Sequence, residues 1–140
     1  MSDERPPFPD ALGLARLRYI QRLREQLADL GFNDFRRGDG AWVRILSAGS
    51  RPPSELAAIV GVSPQAVTKR ADSLEERGYV TRRPDDVDRR RILLELTERG
   101  QAYADALHSV VEGVDEELRR TVSAADLDAA YRVLEAIAAA

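Results

Sequence analysis

The sequence predicts a mainly α-helical fold with a small β-hairpin wing: a winged helix-turn-helix whose N- and C-terminal helices form a dimerisation domain. Three observations carry this. Two short helical segments meet at Gly61, two strand-like runs flank a charged turn, and long amphipathic patterns occupy both ends of the chain.

The first nine residues, rich in proline and charge, read as a loose leader. From about Ala11 to Leu30 apolar residues recur three or four apart (Leu17, Ile20, Leu23, Leu27, Leu30), which predicts a helix that Gly31 stops. A shorter helix follows around Trp42, Val43, Ile45 and Leu46, closed by Gly49. Ser54 is the expected N-cap of a third helix through Val60, and Ser63-Pro64 opens a fourth that runs to Arg77. Tyr79–Arg83 and Ile92–Leu96 then read as strands joined by the polar turn Pro84–Asp88, a hairpin. Thr97 caps a long helix through Leu118, which Gly113 loosens slightly, and Ser123 with Asp126 resembles a capping box that opens a last helix.

A chain of 140 residues suits one domain with a proper core, and 44% hydrophobic with 32% charged residues suits a folded globular protein. We read 1–140 as a single domain, with 10–36 and 98–140 as dimerisation helices and 37–97 as the winged helix-turn-helix part. No stretch approaches the roughly 18 apolar residues of a membrane span, and Met1–Pro9 lacks the pattern of a secretion signal, so no membrane partner and a cytoplasmic location are expected. The absence of cysteine excludes disulfides, thiolate metal sites and thiol redox sensing. A single histidine, His108, makes no metal centre, so neither metal nor cofactor is expected. The net charge of -3 hides an uneven distribution. Ser63–Arg91 holds eight basic and six acidic residues, whereas Glu98–Ala140 holds four and nine.

Glu55–Gly78 carries the helix-turn-helix pattern. Ala57 is small enough for a close helix crossing, Gly61 can take a positive φ, and Val62 with Val67 should plug the angle between the helices. At 100° per residue Val67, Ala71 and Leu74 form the buried stripe of the second helix. Gln65, Thr68, Lys69 and Asp72 point the other way, Ala66 and Ser73 sit at one edge, and Arg70 flanks the core. A small polar face with a cation suits a recognition helix in the major groove. The expected contacts are Gln65 to adenine, Lys69 to guanine or phosphate, Ala66 to a thymine methyl, and the Ser63-Pro64 helix start to a phosphate. Thr68, Arg70 and Ser73 complete the candidate set. Lys69 is the only lysine beside twenty arginines, and it lies on this face.

Beyond the turn stand Asp88-Arg89-Arg90-Arg91. Three adjacent arginines at a hairpin tip repel one another unless an anion is near, and a narrow minor groove supplies one. Asp88 can pair with one of them and hold it outstretched. The stretches Leu74-Glu75-Glu76-Arg77-Gly78-Tyr79-Val80, Asp88-Arg89-Arg90 and Leu94-x-Leu96-Thr97-x-x-Gly100 resemble the multiple antibiotic resistance regulator (MarR) family, densely from about Trp42 to Ala104. That resemblance implies a triangular dimer with interlocked terminal helices, a recognition helix in the major groove, and Arg90 in the minor groove positioned by Asp88. It also implies repression of nearby genes and release by a small aromatic or anionic effector. Asp85, Asp86 and Glu95 make this wing more acidic than the resemblance leads one to expect.

The long helices point to a homodimer independently. A helix of about 23 residues is roughly 35 Å long, more than a winged domain can cover alone. Two-fold symmetry then sets the recognition helices about one DNA turn, roughly 34 Å, apart on a near-palindromic operator. The alternatives are a winged-helix scaffold that binds protein without DNA, and an enzyme, for which there is no P-loop, dinucleotide turn or second histidine. Trp42, Tyr19, Tyr103 and Arg44 are each better read as packing or surface than as a ligand site, so the effector site stays unassigned.

Overall fold

The computed structural model describes residues 4–140. The order is α1 (Phe8–Asp29), α2 (Asp39–Ser47), α3 (Pro53–Val60), α4 (Pro64–Glu76), β1 (Val80–Pro84), β2 (Ile92–Leu96), α5 (Glu98–Thr121) and α6 (Ala124–Ala138). All eight elements appear in the expected order. The strands form one antiparallel hairpin, with Val80 opposite Leu96 and Pro84 opposite Ile92.

Several boundaries differ from the expectation. Phe8 and Pro9 belong to α1 rather than to a leader, because Pro7 and Pro9 suit the pre-helical and first-turn positions; residues 1–3 of that leader lie outside the described residues. Ser54 is not the cap of α3. The helix starts two residues earlier, with Pro52 extended at the N-cap and Pro53 in the first turn. Val62 does not plug the interhelical angle; it is exposed, and Val67 alone is buried there. Gly113 leaves α5 continuous from Glu98 to Thr121.

The chain forms two compact units, one through Leu107 and one over His108–Ala140. In the first, Leu23 and Leu27 of α1 are buried with Trp42, Val43, Leu46, Leu56, Val67, Ala71, Leu74, Val80 and Leu94. The ring of Tyr79 stacks on that of Tyr103, centroids 4.2 Å apart, and Phe32 leans on both. Gly100 is required by space: a Cβ there would stand 1.9 Å from the Tyr79 carbonyl oxygen. In the second unit Ser123 Oγ accepts from the Asp126 N–H at 3.1 Å, capping α6 as expected. α6 buries no residue, and it exposes Tyr131, Val133, Leu134 and Ile137.

Candidate nucleic-acid interface

Gly61, at φ +74, makes the sharp reversal between α3 and α4, a conformation that costs a residue with a Cβ steric energy. Ser63 then caps α4. Its hydroxyl accepts from the Ala66 N–H at 3.1 Å, and Pro64 fills the first helical position, where no amide donor is needed. The buried stripe is Val67, Ala71 and Leu74, as periodicity indicated. Gln65, Ala66, Thr68 and Lys69 are exposed, and Lys69 forms no ion pair among the described residues. Thr68 is exposed and donates its hydroxyl proton to the Pro64 carbonyl at 3.1 Å, which leaves its oxygen free to accept.

Two of the candidate residues on α4 are held by the protein itself. Arg70 Nη1 donates to Asp39 Oδ1 and Nη2 to the Arg37 carbonyl, both at 2.9 Å. The Ser73 hydroxyl accepts from Arg77 at 3.0 Å and from Arg36 at 3.1 Å.

The hub of this arrangement is Asp39, which the sequence reading did not single out. It is 0% exposed. Its carboxylate accepts two bonds from Arg77 (2.6 and 2.9 Å), one from Arg70, one from the Arg36 N–H (3.0 Å) and one from the Tyr103 hydroxyl (2.9 Å). Burial alone would push the Asp39 carboxyl up, but the hydrogen bonds from Arg77 and Arg36 and the charge of Arg77 hold it below the usual carboxylate range. Burial, with the hydrogen bond donated to Asp34, pushes the Tyr79 phenol up to about 12. Burial and the neighbouring Asp39 charge push Tyr103 up as well. Tyr103 and Trp42 are therefore core residues, whereas Tyr19 is half-buried and Arg44 exposed.

In the wing the three arginines part company. Arg91 Nη2 reaches Glu55 of α3 at 3.0 Å, an anionic partner inside the chain that is neither Asp88 nor nucleic acid. Arg89 and Arg90 form no ion pair among the described residues and are exposed. Asp88 does not grip a guanidinium. Its carboxylate accepts from the Arg90 backbone N–H at 3.1 Å and its carbonyl from the Arg91 N–H at 2.9 Å. The loop is closed by the Asp85 N–H donating to the Arg91 carbonyl at 2.9 Å, and Asp85 Oδ1 accepts from the Val87 N–H at 3.0 Å. Asp88 thus fixes the backbone from which Arg90 projects. The acidity of the wing is largely answered within it: Arg83 pairs with Glu95 at 2.9 Å and lies 3.7 Å from Asp86. Arg82 ties β1 to α4 through Asp72 (2.7 Å) and Glu75 (2.5 Å).

The profile of the MarR family matches residues 42–91, the span that holds α3, α4 and the wing tip. The transcriptional repressor MprA of Escherichia coli K12 is 47% identical over 51 residues, which are 36% of this chain and 29% of MprA. The match thus covers less than a third of the length of that relative. Similarity of fold extends much further. CouR, a transcriptional repressor bound to a 23-mer DNA duplex, superposes with a TM-score of 0.74 and 25% identity over 94% of this chain and 92% of its own. The reduced form of MarR from E. coli gives 0.70 and 26% over 96% and 98%. A MarR mutant from E. coli complexed with operator DNA shares the fold at 0.73 and 24% over 94% and 93%. Over residues 42–91 the chain is similar to the MarR family, and its helix-turn-helix, Asp-Arg-Arg wing and flanking helices share the fold of the CouR and MarR structures.

Proposed function

We propose that this chain binds double-stranded DNA sequence-specifically as a homodimer and represses transcription from a near-palindromic operator, with release by a small aromatic or anionic effector. The observation that carries this reading is a division of labour among cations. Six arginines of the winged part are held by carboxylates of the chain, whereas Lys69, Arg89 and Arg90, and away from the reading face Arg37 and Arg44, are exposed and unpaired among the described residues. Unpaired cations at the recognition helix and at the hairpin tip suit the two grooves of one duplex.

Gln65 and Lys69 then read base edges, Ala66 and the Thr68 methyl meet apolar base surface, and the α4 start at Ser63 and Pro64 faces a phosphate. Arg89 and Arg90 enter the minor groove, with Asp88 holding their backbone. The repressor MprA and the DNA-bound CouR support this assignment. No helix among the described residues is long and apolar enough to cross a membrane, and a DNA reader of this kind acts in the cytoplasm.

Homodimerisation is supported by the apolar side chains left uncovered. α1 exposes Phe8, Leu12, Leu14 and Leu17, and α6 exposes the four large residues named above. Surfaces of that kind are rare on monomers, and a second copy covers them. The reading needs no catalytic step.

The test is fluorescence anisotropy of labelled duplexes enriched from a randomised library, titrated at several salt concentrations. Log affinity should fall linearly with log salt, by about 0.9 for each phosphate neutralised. Protein with no salt-sensitive affinity for any duplex would defeat this reading and leave the protein-scaffold alternative.

A further inference from the structure

We propose that Arg70 is a positioning residue: it locks α4 to the turn at 36–39 and so sets which bases the recognition helix meets. The inference rests on the DNA-binding reading above and gives one of its candidate contact residues a different task.

A cation in the second turn of a recognition helix would ordinarily be assigned to a phosphate. Here the Arg70 side chain is only 26% exposed, and both of its terminal nitrogens are committed, to a fully buried carboxylate and to a backbone carbonyl. Seven residues on, Arg77 grips the same carboxylate. Seven residues are nearly two full turns, so both arginines leave the same face of α4, about 10 Å apart along its axis. One grip would let the helix pivot about that point. Two grips on one immobile group fix both its tilt and its rotation.

Asp39 is immobile because α2 begins at it and because Arg36 N–H and Tyr103 hold the other oxygen. The turn is also shaped to the guanidinium. Gly38 sits at φ +100, and a Cβ there would lie 2.6 Å from Arg70 Nη2. Rotation matters because Gln65 and Lys69 leave the same helix about 140° and about 100° around from Arg70, so a turn of α4 about its axis carries both with it. At about 6 Å from the helix axis, a turn of about 20° moves a side-chain atom by about 2 Å, enough to break a paired hydrogen bond to a base edge. Arg70 touches no base in this arrangement; it determines where Gln65 and Lys69 arrive.

The experiment compares the wild-type chain with Arg70→Gln and Arg70→Lys. The probes are a duplex enriched by the wild type from a randomised library and a shuffled duplex of the same base composition. Both variants should lose about tenfold in affinity for the enriched duplex and less than about twofold for the shuffled one, with the salt slope unchanged. Lysine should not rescue, since a single ammonium lacks the fork that spans Asp39 and the Arg37 carbonyl. In the DNA-free protein, amide exchange along α4 should quicken in both variants while the thermal transition stays cooperative. A slope lowered by about 0.9 per lost phosphate, or rescue by lysine, would make Arg70 a phosphate contact and overturn the proposal. So would unchanged discrimination between the duplexes. A wild-type chain that enriches no duplex from the library would sink the DNA reading itself, a result distinct from the other three.

Discussion

Arg70 and Arg90 carry the same charge, and their surroundings give them opposite work. Arg70 is enclosed between Asp39 and the Arg37 carbonyl, whereas Arg90 has its backbone pinned by Asp88 and its guanidinium exposed. Arg90→Ala should therefore weaken binding to an enriched duplex by about 1–3 kcal/mol and leave the dimer intact, as read by anisotropy and sedimentation. Equal affinity in the variant would mean that the wing does not read DNA. At this scale the sequence showed which residue types stand at the wing and on α4, but not their partners. Arg91 meets Glu55 across 36 residues and Arg77 meets Asp39 across 38. No local pattern encodes such pairings, so nothing in the sequence alone marks Asp39 as their hub. Gly100 was visible as part of a family motif; its reason, the Tyr79 carbonyl against its α-carbon, belongs to the fold.

Periodicity made the elements legible because burial follows it closely on α4, where Val67, Ala71 and Leu74 alternate with exposed polar residues. Boundaries were less legible where two signals competed, as at α3, whose start was settled by the fixed φ of Pro53 rather than by the hydroxyl of Ser54. Between elements, the polar cluster around Asp39 joins α2, α4 and α5, and it makes their union depend on pH at both extremes. The folded Asp39 carboxyl titrates below its ordinary value of 3.8, so its contribution is complete above that value and is lost as pH falls through the lower, folded one. Tyr79 and Tyr103 titrate above their ordinary value of 10.0, so their contribution is complete below it and is lost as pH rises, for Tyr79 through about 12. Melting temperature against pH should show a plateau with two falling limbs. Asp39→Asn should make the acid limb shallower and Tyr103→Phe the alkaline one; limbs of unchanged steepness would show that the cluster does not couple these helices.

For the whole molecule, α6 is the element with most to gain from a second copy, since none of its residues is buried within the chain. Removing Ser123–Ala140 should yield monomers or aggregates by sedimentation, whereas a truncated chain that stays dimeric would place the interface elsewhere. Amphipathic spacing revealed the length and polarity of these terminal helices, but not which of their faces stay uncovered in one chain. The ties from Arg82 to α4 and from Arg91 to α3 have a last consequence. Hairpin and reading helix are braced like the two jaws of a calliper set to one gauge. Such an instrument does not adapt to what it measures, so the compliance needed for a close fit falls to the nucleic acid. Sites rich in easily kinked pyrimidine–purine steps should then be favoured even at positions no side chain reaches.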